Sequence, residues 1–234
     1  MRYYPDLRKI QLPINSFSDN MRTNTVLVNI NTSSKSVNFD AKIDLSGQYS
    51  TMIRGLYKNE YVDKTINRLY NKKIWELNEK SILQKKEVKI INREFPFDAE
   101  ITAQYQANTI LTKTGDTINL NLTNWFNHII FPNFDTTGRQ MDFYPDFVGK
   151  DTYIYTLQFD KNMKLASEFQ DIKIVNEFGQ LSISVEKVSS NSYKLTSTFS
   201  TIANKVSKEK IQSVKDIYDK IQALNCGILK FVEE

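Results

Sequence analysis

The chain's last third decides how it is read. Residues 207–224, SKEKIQSVKDIYDKIQAL, are followed directly by residues 225–232, NCGILKFV. Ile211, Val214, Ile217, Tyr218, Ile221 and Leu224 recur at helical spacing and form one apolar stripe, with charged residues on the opposite side. Ser207 stands where an N-cap is expected, and Glu209 lies in the first turn, where the helix dipole favours an acid. Asn225 to Gly227 end the helix, and Ile228, Leu229, Phe231 and Val232 return as a strand. A helix with one apolar stripe needs a sheet to lie on. The preceding residues supply it as alternating runs at 153–159, 172–175, 181–188 and 193–199, with turns at Asn162, Gly179 and 189–191.

Upstream, Val37, Phe39, Ala41, Ile43 and Leu45 alternate with polar residues, which gives a strand with one wet face. A second strand at 25–30 and a turn at 31–35 make a hairpin. After Gly47 the period changes. Tyr49, Met52, Ile53 and Leu56, then Tyr61, Ile66, Leu69 and Tyr70, place one or two helices over 48–77. Strands resume at 88–91, 99–110 and 118–122, with a turn at Gly115–Asp116. The expectation is a β-rich α+β protein. It has two antiparallel sheet or sandwich units, a helical insertion after the first hairpin, and a C-terminal helix packed on a sheet. The aromatic segment 124–145 suggests a boundary between residues 1–135 and 136–234.

Composition limits the function. The 234 residues carry 31 basic and 27 acidic side chains, a net charge of +4, with the signs interspersed. Nucleic-acid binding calls for basic residues gathered on one face, so none is expected, and the pairs Lys72–Lys73 and Lys85–Lys86 read as solvated surface. No apolar run is long enough to span a bilayer. The opening MRYYPDLRKIQLPINSF has no apolar core of the signal-peptide kind, so the chain is either intracellular or a piece of a longer exported one.

Chemistry is thinly represented. One cysteine, Cys226, excludes an internal disulfide, and one histidine, His128, leaves a single Cys–His pairing. Cys226 follows an apolar helix and reads as a buried inert thiol; His128 lies among aromatics and reads as a packed or surface side chain. A G-x-S-x-G elbow and a glycine-rich phosphate loop are both lacking, and zinc sites of Cys and His are excluded. Asn133, Asp135, Thr137 and Gly138 echo the start of a calcium loop, but Tyr144 occupies the position of the bidentate Glu, so a turn is expected and no metal or cofactor. Asp142 and Asp146 read as solvated loop acids. The sequons at Asn31 and Asn121 are expected by chance in so Asn- and Thr-rich a chain. The rings of Trp125, Phe126, Phe131, Phe134 and Tyr144 have two readings: a plug for the seam between sheets, or a platform for a peptide or glycan.

Several segments carry a family likeness. They are Trp125–Phe126, the run RQMDF at 139–143, the strand TYIYTL at 152–157, the ending GILKF at 227–231, and the hairpin strand 37–45 followed by GQYS at 47–50. Together they resemble the C-terminal region of the transglutaminase-like (DUF3857/DUF3858-type) multidomain proteins of Bacteroidetes. In such proteins β domains flank a papain-like domain with a Cys–His–Asp triad. This chain has no residues matching that triad, and Ala166–Ser167 stand where a proline is usual. The resemblance implies a non-catalytic accessory or interaction region of a cell-envelope or periplasmic protein. Its partner would be a catalytic transglutaminase-like domain of the same or another chain, with a protein or glycan ligand as a further possibility.

Overall fold

The computed structural model describes residues 17–51, 82–90, 98–126, 128, 136–145 and 148–234. A short 3-10 turn, Phe17–Asp19, leads into β1 (Met21–Asn31), and β2 (Ser36–Leu45) returns beside it. Then come β3 (Ile82–Ile90), β4 (Ala99–Ala107), β5 (Leu111–Thr114), β6 (Thr117–Asn121), β7 (Lys150–Phe159), β8 (Met163–Leu165), β9 (Ile172–Val175), β10 (Gly179–Ser189) and β11 (Ser192–Thr201). A 3-10 turn, Lys208–Lys210, leads into α1 (Gln212–Asn225), and β12 (Ile228–Glu233) follows. The protein is a β-rich α+β fold with a C-terminal helix, as the patterning predicts.

The strands form an eight-stranded sheet, β3-β4-β2-β1-β7-β11-β10-β9, and a four-stranded sheet, β5-β6-β12-β8. Pairing is antiparallel except between β1 and β7, which run parallel in the register Arg22↔Asp151 to Ile30↔Phe159. Residues 1–135 and 136–234 each contribute strands to both sheets. The strand expected over 99–110 ends instead at Ala107, and a further strand follows at 111–114. Residues 108–110 bend, so β4 lies in the large sheet and β5 in the small one. The expected helices over 48–77 lie outside the described residues, save that residues 47–51 are helical.

Alternation explains what each strand buries. On β1, Arg22, Asn24, Val26, Val28 and Ile30 face inward; on β7, Asp151, Tyr153, Tyr155, Leu157 and Phe159 do. The small sheet answers with Leu111, Ile118, Leu120, Leu229 and Phe231. Phe231 joins the layers, its ring centroid 4.7 Å from that of Phe159 and 5.1 Å from that of Tyr193.

Helix α1 buries Val214, Ile217, Ile221 and Leu224. Its start differs from the expected Ser207 cap, since Ser207 makes no side-chain capping bond. The Lys208 N–H donates instead to Asp142 Oδ1 at 3.0 Å, so a carboxylate from a distant loop supplies the anchor. The other end is fixed by Asn225, whose amide group accepts from the Phe126 N–H at 2.9 Å and donates to the Phe126 carbonyl at 2.8 Å.

Gly47 is needed at its turn. Its φ is +57°, and a Cβ there would lie 2.2 Å from the Asp19 carbonyl oxygen and 2.3 Å from Asn20 Oδ1. That space belongs to Asn20, whose side chain accepts from the Gln48 N–H and donates to the Val148 carbonyl.

Because Phe231 is fully buried between the sheets, Phe231→Ala should cost about 3–5 kcal/mol in urea unfolding, with the far-UV circular dichroism spectrum retained.

Candidate functional site

Several inward positions in the alternating strands carry polar groups where an apolar side chain is the rule, among them Arg22 on β1, Asp151 on β7 and Ser197 on β11. The β1–β7 register sets Arg22 directly opposite Asp151. Across the next ladder Tyr153 faces Ser197, so Ser197 lies on the diagonal from Asp151. The fourth member, His128, comes from the segment after β6. It is brought over the sheet behind Trp125 and Phe126, which are themselves buried.

These four side chains form one buried chain of contacts. Arg22 Nε donates to Asp151 Oδ1 at 2.7 Å, and Arg22 Nη2 donates to Asp151 Oδ2, making a two-pronged clamp. His128 Nδ1 lies 3.1 Å from Asp151 Oδ2, and His128 Nε2 lies 2.8 Å from Ser197 Oγ. An ionised carboxylate only accepts, so Nδ1–H donates to Asp151; in the uncharged ring this leaves Nε2 to accept from the Ser197 hydroxyl. Aromatic rings enclose the chain. The Arg22 guanidinium carbon lies 5.2 Å from the Tyr49 ring centroid and 5.4 Å from that of Tyr153. The His128 ring meets Tyr153 edge-on at 4.9 Å and Phe199 at 6.0 Å.

The electrostatics follow from burial and pairing. Burial alone would raise the Asp151 carboxyl; the Arg22 charge, the neighbouring His128 ring and the hydrogen bonds from both outweigh it and hold the group below the usual carboxylate range. Burial would lower Arg22, but Asp151 holds it well above its ordinary value. Burial also pushes the Tyr49 and Tyr153 hydroxyls up.

The connectivity Asp–His–Ser is that of an acid–base–nucleophile relay. Access is what it lacks. Asp151 and Ser197 have no solvent exposure and His128 has 2%. A nucleophile needs a substrate carbonyl in contact with its oxygen, and Ser197 Oγ faces the interior of β11. The arrangement is a core polar network whose members satisfy one another.

The other sequence candidates distribute differently. Cys226 is exposed, where a buried thiol is expected: it follows Asn225 at the end of α1, and it is Asn225 that turns inward. Trp125 and Phe126 are core rings. The Trp125 ring packs 5.6 Å from that of Phe39 and 4.7 Å from that of Tyr155, whose hydroxyl donates to the Trp125 carbonyl. Those two rings are buried and present no face to solvent. Tyr144 is 63% exposed, with Lys205 Nζ 5.9 Å from its ring centroid. Phe131, Phe134 and Asp146 lie outside the described residues. Asp142 is bound to Lys205 and to the Lys208 N–H, which draw its carboxyl down. Thr137 and Gly138 form the expected turn.

The network itself was available to a finer reading of the pattern. Arg22 falls in phase with Val26 and Val28, and Asp151 in phase with Tyr153 and Tyr155. A charge in the apolar phase of a strand calls for an opposite charge nearby.

Residues 116–227, just under half of the chain, match the family described as a domain of unknown function with solved structure (DUF3858). No curated protein matches. Among solved structures, one from Parabacteroides distasonis ATCC 8503, given a provisional protease designation, aligns over 93% of this chain and 100% of its own, at 6% identity and a TM-score of 0.35. At that identity and score the likeness implies neither a shared fold nor a shared activity. Among the described residues no helix is long and apolar enough to cross a membrane.

Removing one partner of a buried ion pair strands the other. Asp151→Asn should therefore cost about 3–5 kcal/mol in urea unfolding at neutral pH. Asp151 is depressed in the folded state; its stabilisation is present above the ordinary carboxylate range and is lost as pH falls through its folded value. The gap between wild type and Asp151→Asn should thus narrow as the pH of the unfolding series is lowered below that range. A gap constant with pH would show that the charge of Asp151 does not stabilise the fold.

Proposed function

We propose that this chain is a non-catalytic accessory region, a β scaffold that accompanies a transglutaminase-like or peptidase-like catalytic domain of the same or a partner chain in the cell envelope. One observation carries the non-catalytic half of this reading. The chain's one histidine has both ring nitrogens engaged inside the core, by Asp151 and Ser197. It is therefore not free to serve as base for the exposed Cys226, and the serine it does touch is sealed from solvent. The accessory half is supported by the DUF3858 match over residues 116–227 and by the resemblance of the segments quoted above to the β regions that flank such catalytic domains.

Two measurements test the two halves. The purified chain, incubated under reducing conditions with a denatured protein substrate and a labelled primary amine, should neither cleave the substrate nor incorporate the amine. Turnover that disappears in Cys226→Ala or Ser197→Ala would overturn the non-catalytic reading. A catalytic transglutaminase-like domain found in the same reading frame, or in a neighbouring one, should co-elute with the chain in size-exclusion chromatography. Separate elution of the two across micromolar concentrations would remove the accessory reading.

A further inference from the structure

The end of the large sheet at β9 and β10 is only partly closed. Strand β9 has four residues, and they pair with Gln180–Ile183 of β10 and no further. From Ser184 to Ser189, β10 pairs with β11 alone among the described residues, so its other side is a free strand edge. The exposure pattern agrees, since Glu186, Lys187, Val188 and Ser189 are exposed and Val188 is 58% so. A free edge carries backbone donors and acceptors without partners, which is a template for another strand.

Beside this edge the sandwich gapes. Val185 and Lys187 face a groove whose floor is Tyr193 and whose far wall is Leu165 and Phe169. The floor is held in place. The Tyr193 hydroxyl donates to the Met163 carbonyl at 3.1 Å and accepts from the Leu165 N–H at 3.3 Å, which ties β8 to β11. Val185, Leu165 and Phe169 are half-buried, so apolar surface is on offer next to the unpaired backbone.

The charge of the rim selects the visitor. Glu168 and Asp171 line the groove and are exposed, and no ion pair engages either among the described residues. The one cation of the rim, Lys187, is bound to Glu234. The groove therefore presents uncompensated carboxylates beside a hydrogen-bonding edge and an apolar floor. We infer that β10 from Ser184 to Ser189, with the groove beside it, is a docking site for an extended, cationic peptide strand. Such a strand would add to the sheet edge, direct alternate apolar side chains over Val185 and Phe169, and set lysine or arginine against Glu168 and Asp171. The register irregularity between Lys187 and Ser189 limits the added ladder to a few residues. This inference does not depend on whether the chain accompanies a catalytic domain.

An acetylated nonapeptide alternating valine and lysine is the probe, followed by amide chemical shifts of the intact chain. Saturable shifts are expected at 184–189 and 165–171. Losing two or three edge hydrogen bonds should weaken binding about tenfold or more, so the same peptide N-methylated at alternate residues, in either phase, should bind correspondingly less. Glu168→Gln combined with Asp171→Asn, both at exposed positions, should weaken binding several-fold and flatten its dependence on salt. Three results would overturn the inference: equal binding by the N-methylated peptides, shifts centred elsewhere, or no saturation at millimolar peptide. Concentration-dependent shifts at 184–189 without peptide would assign the edge to a second copy of the chain and overturn it as well.

Discussion

Arg22 and Asp151 meet across the one parallel junction among the described strands, and the rest of the large sheet is arranged around that meeting. Parallel neighbours have no hairpin turn to fix their offset, so their register needs another determinant. A one-residue slip of β1 past β7 would turn Arg22 onto the outer face, bring Thr23, Thr25 and Asn29 inward, and leave Asp151 buried without its partner. A two-residue slip would keep the apolar phase but leave an arginine and an aspartate buried without each other, at a cost of several kcal/mol per ion. The pair need not stabilise the fold more than two apolar residues would. What it does is make the alternatives expensive. His128 and Ser197 extend the same logic to β11 and to the segment after β6.

Asn20 and Asn225 do for the backbone what Arg22 does for the core. Each is buried, and each uses one amide group to hold two chain segments far apart in sequence. With Asp142 holding the approach to α1, three short side chains tie down peptide groups that regular secondary structure leaves open.

Much of the fold was legible from period alone. The phase of Val37 to Leu45 names the buried face of β2, and the stripe Ile211 to Leu224 names the buried face of α1, because both follow from backbone geometry within one element. Partnership was not legible. Nothing local to 21–31 says that it lies beside 150–159 rather than a nearer strand, since that choice depends on contacts about 128 residues apart. The break at 108–110 was hidden because Leu111 keeps the odd-numbered apolar phase of Ile101 to Ala107, although the chain passes from one sheet to the other between them. The engagement of His128 was hidden for a related reason: its partners are 23 and 69 residues away. Cys226 was misread by one position, because the inward place at the end of α1 goes to Asn225, whose amide has bonds to make there.

Strand β12 sits between β6 and β8, in the interior of the small sheet, although it follows every other described strand in chain order and so leaves the ribosome after them. Until it emerges, β6 and β8 have an empty lane between them, and the ring of Phe231 is missing from its seat against Phe159 and Tyr193. The large sheet can assemble before β12 is made, but the small one closes only once β12 has emerged, by inserting a central strand into a waiting slot. Nascent chains of this protein therefore pass through a stage with two unsatisfied edges facing each other, open to any stray extended segment or to a chaperone that shields strand edges.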